Sequence, residues 1–123
     1  MAQGYNGAMS VVLVAEDDSD VRKLACLILK MDGFEVLSAE DGVDALQVAE
    51  GAGALSLLVT DVRMPRMDGV ELAHKLGGKH PHLKVIYMSG YTDVDIPLGS
   101  HCMFLPKPFS ATALSKAVAR MLE

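Results

Sequence analysis

Short apolar runs alternate with stretches of helical periodicity along nearly the whole chain. Runs at 11–15, 35–39, 55–60, 84–88 and 102–105 are rich in Val, Leu, Ile, Tyr and Phe, and each has the length of a strand. Between and after them, apolar residues recur at helical spacing over about 20–31, 42–50, 69–77 and 111–122. In the first of these segments Val21, Leu24, Ala25, Ile28 and Leu29 share a face, Ser19 stands where an N-cap is expected, and Asp32-Gly33 reads as the stop. The last turns Leu114, Val118, Met121 and Leu122 inward and Lys116 and Arg120 outward, with Ser110 as its cap. Strands that alternate with helices predict a parallel sheet, and near-continuous apolar strands predict one covered on both faces. With right-handed crossovers this is a three-layer, doubly wound α/β domain over residues 10–123. Residues 1–9 show no periodicity, contain two glycines and read as a flexible lead or linker.

The polar residues that end the apolar runs carry the chemistry. Glu16 and Asp17 follow Val11 to Ala15, Asp61 follows Leu57-Leu58-Val59-Thr60, Ser89 follows Val85-Ile86-Tyr87-Met88, and Lys107 follows Phe104-Leu105-Pro106. In an open parallel sheet, ligands bind beyond the carboxyl ends of the strands, so these residues should share one site.

Composition narrows the function. The chain has 123 residues, half of them hydrophobic and 22% charged, which suits one folded domain. A net charge of −5 with no Lys/Arg cluster argues against a direct nucleic-acid footprint. No apolar stretch approaches the ~20 residues of a membrane span and no signal peptide is visible, so the expected location is the cytoplasm, without membrane insertion of this domain. Cys26 and Cys102 lie in apolar segments without metal-type spacing and read as small core residues. The eight methionines read as core gap-fillers, and His74, His80, His82 and His101 are scattered.

Three carboxylates converging on one point require a cation. Magnesium suits the donors, because it prefers oxygen ligands and is held by one or two carboxylates together with phosphate. The calcium-loop pattern is missing. An aspartate beside magnesium can act as a nucleophile toward phosphorus, with the Ser89 hydroxyl and the Lys107 ammonium meeting the phosphoryl oxygens and Gly90 leaving the approach open.

Glu16-Asp17, Asp61 with Met64-Pro65 and Asp68-Gly69, Ser89-Gly90 and Lys107-Pro108-Phe109, in this order and spacing, resemble the receiver domain of two-component response regulators over about residues 10–122. The resemblance implies a five-stranded flavodoxin-like sheet of order 2-1-3-4-5. It implies that Asp61 is the phosphoacceptor, and that Glu16, Asp17, Asp61 and the Arg63 backbone carbonyl hold Mg2+. Ser89 and Lys107 would bind the phosphoryl group, Ser89 and Phe104 would form the switch, and the Lys107–Pro108 peptide would be cis. Arg63 and Tyr91 fall at positions that tune phosphoryl lifetime in this family, where a bulky pair would shield the acyl phosphate. The implied partner is a histidine kinase or a histidine phosphotransfer protein. The chain would be a phosphoacceptor that assists its own chemistry without being a dedicated enzyme, and a monomer or weak dimer.

The stretch between Ser89 and Lys107 is short for the family and contains Pro97 and Gly99, so the helix expected there is cut to about one turn or replaced by a loop. The sequences from Tyr87 to Asp93 and from Phe104 to Phe109 resemble receivers joined to hybrid sensor histidine kinases more than those fused to DNA-binding domains. Two other readings compete. An aspartyl-nucleophile phosphatase would want Asp-x-Asp, but position 63 is arginine; a binding-only module would normally lack an acid or the lysine, and both are present.

Overall fold

The computed structural model describes residues 10–90 and 101–123. Among them five strands form one parallel sheet of order β2-β1-β3-β4-β5: β1 Val11–Ala15, β2 Glu35–Ala39, β3 Leu57–Asp61, β4 Lys84–Ser89 and β5 Cys102–Pro106. Four helices accompany it: α1 Ser19–Met31, α2 Gly42–Glu50, α3 Gly69–Lys79 and α4 Ala111–Met121. The lead expected at 1–9 and the shortened helix expected within 91–101 lie outside the described residues, save for His101, which is exposed at the start of β5.

Alternation along each strand divides the interior into two cores, as a sheet with side chains of period two must when both faces are covered. Val12, Val14, Leu57, Val59, Ile86, Met88 and Leu105 pack on one face under α1 and α4. Leu13, Ala15, Leu58, Val85 and Tyr87 pack on the other, beneath α2 and α3. The fold is thus the doubly wound, three-layer α/β arrangement expected. Its register sets Ala15, Thr60, Tyr87 and Phe104 in one row, one residue before Asp61 on β3 and two before Ser89 on β4.

Several local expectations are corrected. Asp18, not Ser19, caps α1: its backbone is extended and its carboxylate accepts the Asp20 and Val21 amides at 2.9 and 3.3 Å. The inward stripe of α1 is Ala25, Ile28 and Leu29, whereas Leu24 is 48% exposed and borders a cavity of about 480 Å³ with Val21 and Phe109. Met31, at 78% exposure, fills no core gap because it sits in the last turn beyond that stripe. β2 is an edge strand, so only Ala39 of its five residues is buried. The two cysteines are free and half-buried, Cys26 against the α1/α4 core and Cys102 against the other, and burial raises both thiols. The cap at Ser110 and the stop at Asp32-Gly33, with Gly33 at φ +98°, are as expected, and the Asp68 side chain caps α3.

Gly69 opens α3 flush against the end of β3, where an added Cβ would collide with the Asp61 carbonyl oxygen; Gly77, further along the same helix, has nothing within 4 Å of that position. Gly69→Ala should therefore cost roughly 1–3 kcal/mol, while Gly77→Ala should gain about 0.5–1 kcal/mol. Thermal unfolding of both variants checks the opposite signs.

Candidate functional site

Glu16, Asp17, Asp61, Ser89 and Lys107 stand at or just beyond the carboxyl ends of their strands, along one side of the sheet. Glu16 continues β1: its amide donates to the Ala39 carbonyl at 3.1 Å, and this last rung draws its side chain wholly out of solvent. Its Oε2 accepts the Asp18 amide at 3.0 Å, and its carbonyl accepts Arg22 Nη1 at 2.7 Å. Asp17 is exposed beside it, and Asp61, the last residue of β3, is half-buried. Ser89 ends β4 with 3% exposure. The Lys107 amide donates to the Ser89 carbonyl at 2.8 Å, tying the ends of β4 and β5 together, and the Lys107–Pro108 peptide is cis.

Lys107 is the cation at the centre. Its Nζ lies 2.5 Å from Glu16 Oε1 and 3.3 Å from Asp61 Oδ2. Apart from that ion pair, the buried Oε1 has no hydrogen-bond partner. Burial pushes the Glu16 carboxyl up to about 7, with the neighbouring Asp61 charge acting in the same direction; Lys107 and the Asp18 amide only partly offset them. Burial opposes the Lys107 charge, but the Glu16 and Asp61 carboxylates outweigh it and hold the ammonium above the usual lysine range.

Oxygen atoms of Glu16, Asp17 and Asp61 all lie within 4.8 Å of one another. Three carboxylates against one ammonium leave excess negative charge. That excess charge and the all-oxygen donors fit a hard divalent cation such as Mg2+. Among the described residues this is the one such group, and none of the four histidines belongs to it.

Other predicted residues fall nearby. Arg63 is exposed two residues after Asp61. Phe104 is partly buried in the α2/α3 core, paired across the sheet with Tyr87, whose hydroxyl burial pushes up to about 12. Tyr91 lies outside the described residues. Sequence reasoning missed one ion pair. Arg66 Nε and Nη2 both donate to Asp41 Oδ2, at 2.9 and 2.7 Å, joining the loop after Asp61 to the start of α2. Its only signal was an arginine set between Met64-Pro65 and the Asp68-Gly69 turn, facing a partner 25 positions away.

The sheet order and the strand-end site define an α/β domain of the flavodoxin-like class. Residues 12–119 match the response regulator receiver domain, and the chain belongs to that family. It is 39% identical over 127 aligned positions to the sensor kinase CckA of Brucella abortus (strain 2308), an alignment covering 99% of this chain and 13% of CckA. It is 33% identical over 118 positions to the response regulator receiver protein CpdR of the same organism, covering 93% of this chain and 98% of CpdR. Among solved structures, the response regulator TrrA of Thermotoga maritima, in complex with Mg(2+)-BeF, is 28% identical with a TM-score of 0.80, over 93% of this chain and all of that one. Among the described residues no helix is long and apolar enough to cross a membrane.

The raised Glu16 gives a pH dependence of definite sign. Its folded value of about 7 exceeds the unfolded 4.5, so between them the folded chain holds a proton that the unfolded chain lacks. Stability from this group is present at low pH and lost as pH rises through about 7. Asp41 works oppositely: the Asp44 amide and then Arg66 hold it below the usual 3.8, so its contribution is lost only at more acid pH. In EDTA, urea unfolding should show a domain more stable at pH 6 than at pH 8 by about 1 kcal/mol. Glu16→Gln should remove most of that difference, and an equal slope in both proteins would contradict the assignment.

Proposed function

We propose that Asp61 accepts a phosphoryl group from a phosphohistidine, making this chain the receiver of a two-component phosphorelay. The observation that carries the reading is Lys107 held between Glu16 and Asp61 at the strand ends, with Asp17 and Ser89 on the same edge. One Asp61 oxygen forms a P–O bond as the P–N bond to the donor imidazole breaks, and the electron pair stays on that ring nitrogen. The Lys107 ammonium meets one phosphoryl oxygen and the Ser89 hydroxyl another. Glu16, Asp17, Asp61 and the Arg63 carbonyl would hold Mg2+, which when bound supplies charge against the phosphoryl oxygens. The Mg(2+)-BeF complex of TrrA supports this choice of ion.

Phosphorylation takes Asp61 from one negative charge to about two near neutral pH, and the new phosphoryl oxygens draw the Ser89 hydroxyl toward them. Phe104 then turns toward the space vacated, a shift in population between two packings. Phenylalanine has no hydroxyl to hydrogen-bond, so the two positions of its ring differ in packing alone. The donor is a histidine kinase or a histidine phosphotransfer protein, as the likeness to CckA supports. The likeness to CpdR along almost its whole length is equally compatible with a receiver that works unattached. Residues 10–123 form the receiver, working in the cytoplasm as a phosphoacceptor and not as a dedicated enzyme.

Intact-mass analysis after incubation with acetyl phosphate and Mg2+ should show one phosphoryl adduct that needs the metal and disappears in Asp61→Asn. An adduct that survives the substitution would move the chemistry to another residue. Absence of any adduct, with acetyl phosphate and with a phosphorylated histidine donor, would leave a binding module.

A further inference from the structure

The loop from Asp61 to the Asp68 cap of α3 carries the phosphoacceptor at its start and Arg63 two residues on, so its shape sets the site. Both ends are anchored to the sheet: the Val62 amide donates to the Met88 carbonyl at 3.1 Å, and the Gly69 amide donates to the Val62 carbonyl at 2.8 Å. The middle has a different anchor. Arg66 adopts φ +70°, the left-handed region that favours glycine, and it is the sole non-glycine residue to do so among those described. Such a conformation persists only where the surroundings impose it.

Here two donors of one guanidinium impose it. Nε and Nη2 converge on Asp41 Oδ2, while Oδ1 of the same carboxylate accepts the Asp44 amide at 2.8 Å as the cap of α2. Asp41 is 6% exposed, and these contacts hold its carboxyl below the usual range. The carboxylate is thus fixed by α2 before Arg66 reaches it, unlike the two mobile partners of an ordinary surface pair. The bend also seats Met67 on Gly42, where an added Cβ would lie 2.6 Å from the Met67 carbonyl oxygen. Apart from Val62 the loop has no fully buried residue before Gly69; Met64 and Met67 are only partly buried against the α2/α3 core, so the pair is the polar anchor of its middle.

We propose that Arg66 is a positioning residue: by clamping the loop to the α2 N-terminus through Asp41, it holds Asp61 and the Arg63 carbonyl in the arrangement that binds Mg2+. This rests on the function proposed above. Neither Asp41 nor Arg66 belongs to the acidic group that would hold the metal; they act through the backbone between them and the site.

Arg66→Gly separates the two roles of the position, because glycine accepts φ +70° without strain while removing the guanidinium. Asp41→Asn keeps the acceptor for the Asp44 amide and deletes the charge. Three measurements on the full chain decide: thermal unfolding in EDTA, Mg2+ affinity by calorimetry, and the Mg2+ dependence of Asp61 phosphorylation by acetyl phosphate. Arg66→Gly should melt no lower than wild type, yet bind Mg2+ about tenfold more weakly, in the range seen when groups behind metal ligands are removed. Its phosphorylation rate should recover at saturating metal. Asp41→Asn should show the same metal shift, the double variant should be no worse than either single one, and Arg66→Lys should recover part of the loss.

Wild-type metal affinity in Arg66→Gly overturns the clamp, as does a loss of affinity matched by an equal loss of thermal stability in each variant. If wild type binds Mg2+ but takes no phosphoryl group, the proposed function fails while calorimetry still decides the clamp. If wild type binds no Mg2+, both fall together.

Discussion

A carboxylate buried at the end of a parallel strand is costly, and Glu16 bears that cost beside two further acids. Lys107 meets it. Its ammonium lies against Glu16 and Asp61, and without it the buried Glu16 carboxylate would face two further acids with no cation beside it. Strand order makes this contact possible. The central β1 and β3 bring the acids together, and Lys107 must cross over β4 from the end of the edge strand β5 to reach them. The amide bond from Lys107 to Ser89 and the two cores beneath give that reach a fixed base.

Charge in this centre is poised, not settled. Burial drives Glu16 toward the neutral acid, and the lysine partly opposes it. A divalent ion would favour the ionised form, so metal binding and proton release are linked at one carboxyl. The acids pair with the lysine here, and the same groups would be the ones to meet a cation and a phosphoryl group.

The fold was legible because its signals are local and repeated. Apolar runs of strand length, stretches of helical periodicity and the cap at Ser110 each reported the same architecture. Glu16, Asp17, Asp61, Ser89 and Lys107 were legible because each polar residue follows an apolar run. Decisions between neighbours were not. Asp18 and Ser19 are both good caps, and only the point where the backbone leaves its extended form chose the aspartate. Leu24 fits the helical stripe of α1, but the position of Phe109 and of the adjoining cavity leaves it half outside. The Asp41–Arg66 pair joins two loops through a left-handed residue, and no local pattern announces such a contact.

The hydrogen bond between the Lys107 amide and the Ser89 carbonyl also has a mechanical meaning. It couples the backbones of two residues that come from different strands. Ser89 cannot be drawn sideways without stretching that bond or carrying Lys107 along, so the hydroxyl and the ammonium behave as two jaws of one tool. Phe104 is three residues before Lys107 on the same strand, and its backbone is part of the handle. Closing the jaws on a bulky anion would load the strand on which the ring is mounted.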